Sequence, residues 1–358
     1  MLLAAAERRL GKVLRVKADE LIAATDADFA LLDDAGQAPG IAWSETPVAV
    51  LMAGTTLLTP EIRLDRALLA LGQDVQKQVI ARLSAWFDGQ KQKHLLPLVK
   101  MNESAADPQV PAVVRAVFAQ LGDAGGVLAR TDLDSALGHL DKEQRHLLRK
   151  AGIDIGVLDI YHPGLLKPGA ARWRSALLAA RIAKPCLPLP GPGLTLIPAG
   201  ERPAQMGARI AGFRGFGDQM LRIDMAERMA RTAHETIAKN EAFTALSPQI
   251  VSLGLSEDAF LQLMRAAGFR PVDAPPPPPV EDGAEAPAPV AAANWAFKGR
   301  QKARSDRPQA QRGRGGKPGS GKAQRNDGQR SSNTGGSASP APVNNAFAGL
   351  ADLLGRNG

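Results

Sequence analysis

Residues 29–52 read FALLDDAGQAPGIAWSETPVAVLM, and this stretch decides the fold class that we expect. Two apolar, strand-like runs, Phe29–Leu32 and Ile41–Met52, flank the turn-forming segment Asp33–Gly36. Gly54 then ends the second run. The stretch predicts a small β element, because the sequence on either side of it has the features of helices.

Helical sequence surrounds this β element. One helix is predicted from Ala4 to about Ala24, and alanine and leucine dominate the first three quarters of the chain. A long amphipathic helix follows the strands, and its apolar face consists of Val75, Val79, Ile80, Leu83 and Trp86. The expected fold class is therefore mainly α with a small β element (α+β), built as two packed, mostly helical blocks plus a long disordered C-terminal tail.

Composition divides the chain into five parts. The first contains a helix, the β element and the long helix, and the second is a helical accessory domain. An acidic linker rich in proline and alanine, a disordered basic tail with RGG-like sequence, and a short amphipathic C-terminal motif follow. The predicted bounds are 1–105, 106–273, 274–292, 293–343 and 344–358.

The second block ends in a pair of short helices that resembles a helix-turn-helix, Ser247–Gly268, with Ser256 as the N-cap of the second helix. That helix begins with Glu257 and Asp258. Carboxylates there stabilise a helix end but repel a phosphate backbone. Packing within the domain is therefore favoured over insertion into a DNA groove.

The positive charge of the chain is concentrated in its tail. The net charge is +8, whereas residues 294–336 alone hold eleven Lys or Arg against two Asp. Such a segment cannot bury enough apolar surface to fold alone, and its cations neutralise phosphates. Within it, Arg312 and Arg314 form an RGG-like sequence whose guanidinium planes can stack on bases. The alternative is a solubilising cationic tail without selectivity.

No residue pattern points to catalysis or to a metal. Gly316–Ala323 nearly matches the phosphate-binding loop GxxxxGK[ST], but Ala323 lacks the magnesium-binding hydroxyl and the flanks are of low complexity. The single cysteine, Cys186, excludes a disulfide framework and is expected to be a buried, inert thiol. The five histidines have no metal-ligand spacing, although His139 and His146 lie seven residues apart.

The sequence also predicts a cytoplasmic protein that does not enter a membrane. No apolar run reaches about 18 residues. The apolar residues 1–6 precede Glu7, Arg8 and Arg9, whereas a secretory signal has its positive charge before the apolar stretch.

Eight segments carry a family resemblance through their order and spacing: Ile41–Gly54, Ala81–Trp86, Leu95–Leu98, Leu148–Gly156, Pro163–Pro168, Ala211–Arg214, Leu221–Ala230 and Leu253–Arg270. Together they resemble the C-terminal half of alphaproteobacterial superfamily II DExH-box helicases related to the mitochondrial degradosome RNA helicase. The resemblance covers most of residues 30–272, and the basic tail ending in Ala346–Leu350 is similar in character.

The resemblance implies a nucleic-acid-binding accessory region of an ATP-dependent RNA or DNA helicase, which packs beside the motor and guides a strand. The two RecA-like motor domains of such helicases, with their Walker A loop, DExH box and arginine motif, do not occur in this sequence. ATP and magnesium are therefore expected only with a motor domain, and no cofactor on this chain. The motor would be a partner on a separate chain, or the chain is a truncated or split gene product.

Nine cations are the predicted contacts to RNA or other single-stranded nucleic acid. Seven lie in the family-like part of the chain and two in the tail: Arg149, Lys150, Lys167, Arg172, Arg174, Arg214, Arg222, Arg312 and Arg314. A solvated surface charge is the alternative for each one in the folded part. The alternative for the whole chain is a non-catalytic scaffold or adaptor, with a basic RNA-binding tail and a C-terminal docking helix presenting Phe347, Leu350 and Leu354. An enzyme of unrecognised type is a third alternative.

Overall fold

Helices and short strands alternate along residues 2–239, 243–272 and 294–299, which are the residues that the computed structural model describes. The helices are α1 (Leu2–Ala23), α2 (Gln73–His94), α3 (Leu96–Ala106), α4 (Ala112–Asp123), α5 (Arg130–Gly138), α6 (Lys142–Lys150), α7 (Pro168–Arg181), α8 (Arg202–Ile210), α9 (Ile223–Ala238), α10 (Pro248–Leu253) and α11 (Glu257–Ala266). The strands are β1 (Phe29–Leu32), β2 (Gly40–Trp43), β3 (Thr46–Met52), β4 (Glu61–Leu64), β5 (Val127–Ala129), β6 (Asp154–Ile155), β7 (Asp159–Tyr161), β8 (Leu196–Pro198), β9 (Phe213–Phe216), β10 (Gln219–Arg222), β11 (Phe269–Val272) and β12 (Asn294–Phe297). The fold is mainly α with small β sheets, as predicted.

The predicted β element is a four-stranded antiparallel sheet in the order β1-β2-β3-β4. The run predicted as one strand from Ile41 to Met52 is two strands, because the chain reverses at Ser44 and Glu45. Both residues have positive φ, 45° and 67°, as in the tight turns that match the twist of a hairpin. The fourth strand follows Gly54, where a Cβ would overlap the carbonyl oxygen of Thr59.

Helices α2 and α7 contribute the aromatic core beside this sheet. Trp86 of α2 lies 5.8 Å from Phe29 of β1 and 5.7 Å from Trp173 of α7, measured between ring centroids. The predicted face of α2 is buried except at Ile80, which is 36% exposed. Since Trp173 belongs to the second predicted block, the two blocks share this core.

The middle of the chain forms a three-stranded antiparallel sheet in the order β5-β7-β6. Helices α5 and α6 connect β5 to β6. Strands β6 and β7 form a hairpin that bends at Gly156. A Cβ at Gly156 would overlap the carboxylate of Glu227, so α9 packs directly against this bend.

A second apolar core joins α9, α10, α11 and the strands around them, including Phe216, Met229 and Leu263. The predicted pair of short helices is present as α10 and α11. The Ser256 hydroxyl caps α11 by accepting a hydrogen bond from the Ala259 amide at 3.3 Å. Because Phe260, Leu263 and Met264 of α11 are buried, this helix serves packing.

Strand β12 pairs antiparallel with β11 after the linker, which lies outside the described residues. Trp295 is 7% exposed and packs edge-on to Phe260, with 6.0 Å between the ring centroids. The sequence predicts a disordered tail from residue 293, but residues 294–297 are a strand because the Trp295 ring completes the second core. Residues 300–343 of that tail and the C-terminal motif lie outside the described residues.

None of the helices described combines the length and the hydropathy that crossing a bilayer requires.

Candidate nucleic-acid interface

A cleft of about 600 Å³ collects three of the predicted cations, Lys167, Arg172 and Arg222. It lies between the first turn of α7, the end of β10, the loop after β1 and a proline-rich loop at residues 187–194. Leu166, Leu189 and Phe213 contribute apolar surface. Apolar walls with a few convergent polar groups are typical of ligand sites.

Lys167 is the N-cap of α7 and is exposed, and it forms no ion pair with any residue that the structure describes. Pro168 follows at the first helical position, where its missing N–H costs no hydrogen bond. The positive end of the α7 dipole adds to the ammonium charge. This corner of the cleft therefore favours an anion.

The two arginines of the cleft are held by carboxylates. Arg172 donates to both oxygens of Asp33 at 2.6 and 2.8 Å and remains 56% exposed. Arg222 donates to both oxygens of Asp224 at 2.7 and 2.8 Å. These hydrogen bonds raise the pKa of both guanidinium groups. They also fix each planar group, whose other N–H donors are left for a phosphate.

Arg172 also borders a second, smaller cavity of about 320 Å³, lined on one side by Lys93 and His94. Burial, and then the charges of Lys93 and Arg172, lower the pKa of His94 below its ordinary value. The sequence did not indicate these two residues, because they lie at the end of α2 outside every family-like segment. Lys93 therefore adds a second cation to this cavity, beside Arg172.

Arg174 lies in the core and not in the cleft. Its side chain is 1% exposed, and its Nη1 donates to the Leu165 carbonyl oxygen at 3.0 Å. Burial lowers the pKa of this guanidinium to about 10. Such a position does not fit a contact with a strand at the surface. Arg174 instead holds the turn Pro163–Leu166 that leads into Lys167.

Arg149 and Lys150 lie exposed in the last turn of α6 and do not line the cleft. Cations there interact favourably with the negative end of the helix dipole. Arg312 and Arg314 lie outside the described residues, as does the loop-like match Gly316–Ala323. Three of the seven cations predicted in the folded part thus converge on one site.

Arg214 belongs to a buried charged cluster. It donates to Asp159 at 2.7 Å, and Asp159 is only 5% exposed. Beside this pair, the Glu227 carboxylate accepts hydrogen bonds from the amides of Val157, Leu158 and Asp159, each at 2.6 Å. The cluster ties β9 and α9 to the β6–β7 hairpin, so Arg214 has a structural role.

Asp159→Asn should change how stability depends on pH. Burial raises the pKa of Asp159 to about 6, although Arg214 opposes the shift. A carboxyl whose pKa is raised by folding stabilises the fold below its unfolded value, near 4, and loses that contribution as the pH rises through about 6. The free energy of unfolding is measured in urea at fixed pH values from 4.5 to 7.5. Relative to the unmodified chain, the variant should become more stable as the pH rises, by about 2 kcal/mol over the whole range.

The control for that experiment is Asp19→Asn, which makes the same change at an exposed position on α1. The ion pair with Arg214 is already part of what sets the folded pKa of Asp159, so its loss adds no second pH dependence. A constant difference from the unmodified chain across the range would contradict the prediction.

Within residues 2–239, 243–272 and 294–299, no group of three or more His, Cys, Asp or Glu side chains is arranged to hold a metal ion. Cys186 is 3% exposed, and burial, reinforced by Asp33 and Asp34, raises the pKa of its thiol to about 11. The thiol is buried, as predicted, and this pKa keeps it protonated at neutral pH.

No family model matches the chain, and neither a curated protein nor a solved structure matches it.

Proposed function

We propose that the chain is a nucleic-acid-binding accessory module of an ATP-dependent DExH-box helicase, without catalysis of its own. The observation that carries the proposal is the convergence of Lys167, Arg172 and Arg222 on one cleft at the start of α7. Lys167 and Arg172 lie close together at the start of α7, and the fold brings Arg222, at the end of β10, to the same cleft. Single-stranded RNA or DNA is the proposed ligand.

The tail and the cleft have different roles in this proposal. The cleft faces Asp33, Asp34 and Asp224 as well as its three cations, so it has little excess charge. Its contribution is to position a phosphate between oriented donors. Excess positive charge comes from residues 294–336, which supply affinity and a fast on-rate. Because the cleft is nearly neutral, it selects its ligand by the fit of the strand to the oriented donors and not by charge.

ATP hydrolysis belongs, in this proposal, to a motor domain on a partner chain, where ATP and magnesium bind. The module packs beside that motor in the cytoplasm and guides the strand. The purified chain should accordingly turn over no ATP, with or without RNA. Turnover that survives Lys322→Ala, which alters the loop-like match in the tail, would contradict the absence of catalysis.

The double variant Lys167→Gln/Arg222→Gln tests the cleft. If each side chain neutralises one phosphate, the slope of log Kobs against log salt concentration should become shallower by about 1.4, since each contact contributes about 0.7 on single strands. The measurement is fluorescence anisotropy of a labelled single-stranded oligonucleotide over a range of potassium chloride concentrations.

The matched control is Lys142→Gln/Arg63→Gln, which removes the same two charges at exposed positions on α6 and β4. Equal slopes for the two double variants would show that the cleft makes no phosphate contact of its own. If the unmodified chain does not bind the oligonucleotide at all, the result would favour an adaptor that binds a protein partner.

A further inference from the structure

The second feature that fits a nucleic acid lies on β12, where the chain leaves the folded region. The Phe297 side chain is 55% exposed, although it belongs to an ordered strand. It borders a cavity of about 320 Å³ together with Arg130, Val157, Arg231 and His234. Among the Phe, Trp and Tyr side chains that the structure describes, Phe297 is exposed, Trp43 is partly exposed and the others are buried.

Neighbouring groups hold the Phe297 ring in place. Phe297 pairs with Phe269 across the two strands, and the ring centroids lie 5.7 Å apart. The imidazole of His234 lies 4.9 Å from Phe297 and 4.5 Å from Phe269. Gly268 leaves room for the ring, because a Cβ there would lie 2.7 Å from the Phe297 Cε2 atom. The ring is therefore supported and oriented while more than half of it faces outward.

Two cations, Arg130 and Arg231, line the same cavity as the ring. Arg231 precedes His234 by one turn of α9, and its side chain is 57% exposed. Its ion pair with Asp154 is long, at 3.7 Å. The guanidinium of Arg130 lines the same cavity and donates to the Gly156 carbonyl oxygen, and Lys298 follows Phe297 directly.

We propose that Phe297 and Arg231 form a stacking site for one base of a single strand, with the phosphate beside that base bound by the guanidinium. A supported aromatic face next to a cation is the arrangement that binds single strands without reading their sequence. Duplex is a poor fit because its base faces are already stacked. The site also lies where the charge of the tail begins, since the eleven Lys or Arg of residues 294–336 start at Lys298.

This inference rests on the proposed binding of nucleic acid and adds a site that is separate from the cleft. Trp295 in the core anchors β12, so a strand that follows the tail toward the fold would meet Phe297 at a fixed position. The tail would deliver the strand, and the ring would fix the register of one base.

The test uses the full chain and a single-stranded oligonucleotide of ordinary bases. Phe297→Leu keeps an apolar side chain but removes the aromatic face, and it should weaken binding by about fivefold or more. Phe297→Trp should bind at least as well as the unmodified chain. Val251→Ala changes an exposed apolar residue elsewhere, on α10, and should leave the affinity unchanged.

Arg231→Gln provides a second measurement that does not depend on the packing of β12. It should make the salt dependence shallower by about 0.7, the value of one phosphate contact. Equal affinity of Phe297→Leu and the unmodified chain, or equal losses in Phe297→Leu and Phe297→Trp, would overturn the stacking site. An unmodified chain that binds no oligonucleotide would overturn the proposed function as well, so the two failures are distinguishable.

Discussion

Replacing Glu227 with alanine should lower the free energy of unfolding by at least about 4 kcal/mol, because three backbone amides lose the carboxylate oxygens that accept from them. The Glu227 side chain is 1% exposed, and its two oxygens accept from Val157, Leu158 and Asp159 at 2.6 Å each. Hydrogen bonds to charged groups contribute about 1.5–3 kcal/mol each. Alanine also leaves space beside Gly156 that no side chain fills.

Urea unfolding followed by circular dichroism measures this effect. The control is Glu235→Ala, which removes an exposed carboxylate two turns later on the same helix. We expect the control to change stability by no more than about 0.5 kcal/mol. A loss below about 1 kcal/mol for Glu227→Ala would contradict the role assigned to the carboxylate.

Sequence patterns within a single element were enough to predict helix α2 and the start of helix α11. Val75, Val79, Leu83 and Trp86 repeat at helical spacing, and they are the buried face of α2. Ser256 precedes an amphipathic stretch, and its hydroxyl caps α11. In both cases the spacing or the hydrogen bond that indicates the element lies within the element itself.

Contacts between distant residues were not predictable in this way. Glu227 looks like one more solvated charge on an amphipathic helix, because its three amide donors lie 68 to 70 residues earlier in the chain. Strand β12 has only Trp295 and Phe297 to mark it, and its partner precedes a linker of more than twenty residues. The turn at Ser44 and Glu45 lacks the glycine or asparagine that signals a hairpin.

The candidate site was predictable only in part, because it also depends on contacts between distant residues. Family-like segments indicated Lys167 and Arg222, but only the fold brings Arg222 to Lys167 and its neighbour on α7, Arg172. The sequence also marked Arg174, whose burial depends on how α7 packs against the rest of the core. Charge alone does not distinguish a cation at the surface from one inside.

Deleting residues 301–336 should produce the largest change in binding. The deletion removes nine Lys or Arg and two Asp, and it keeps β12 and the Trp295 ring in place. If at least three of the nine cations neutralise phosphates, the salt dependence becomes shallower by about 2. Extrapolated from about 1 M to about 50 mM salt, this corresponds to a loss of affinity on the order of a hundredfold or more.

A chain in which those nine Lys or Arg are replaced by glutamine keeps the length of the tail and serves as the control for the deletion. It should reproduce the shallower salt dependence, since charge and not length supplies the affinity. If the deletion leaves both the affinity and the slope unchanged, the tail does not contribute to binding.

The most direct test of the central claim is the salt dependence with which the full chain binds a single-stranded RNA of about 20 nucleotides. Tail and cleft together should give a linear plot of log Kobs against log salt concentration with a slope of about −3 or steeper. A slope near zero, or no binding at low salt, would contradict the claim that this chain is a nucleic-acid-binding module.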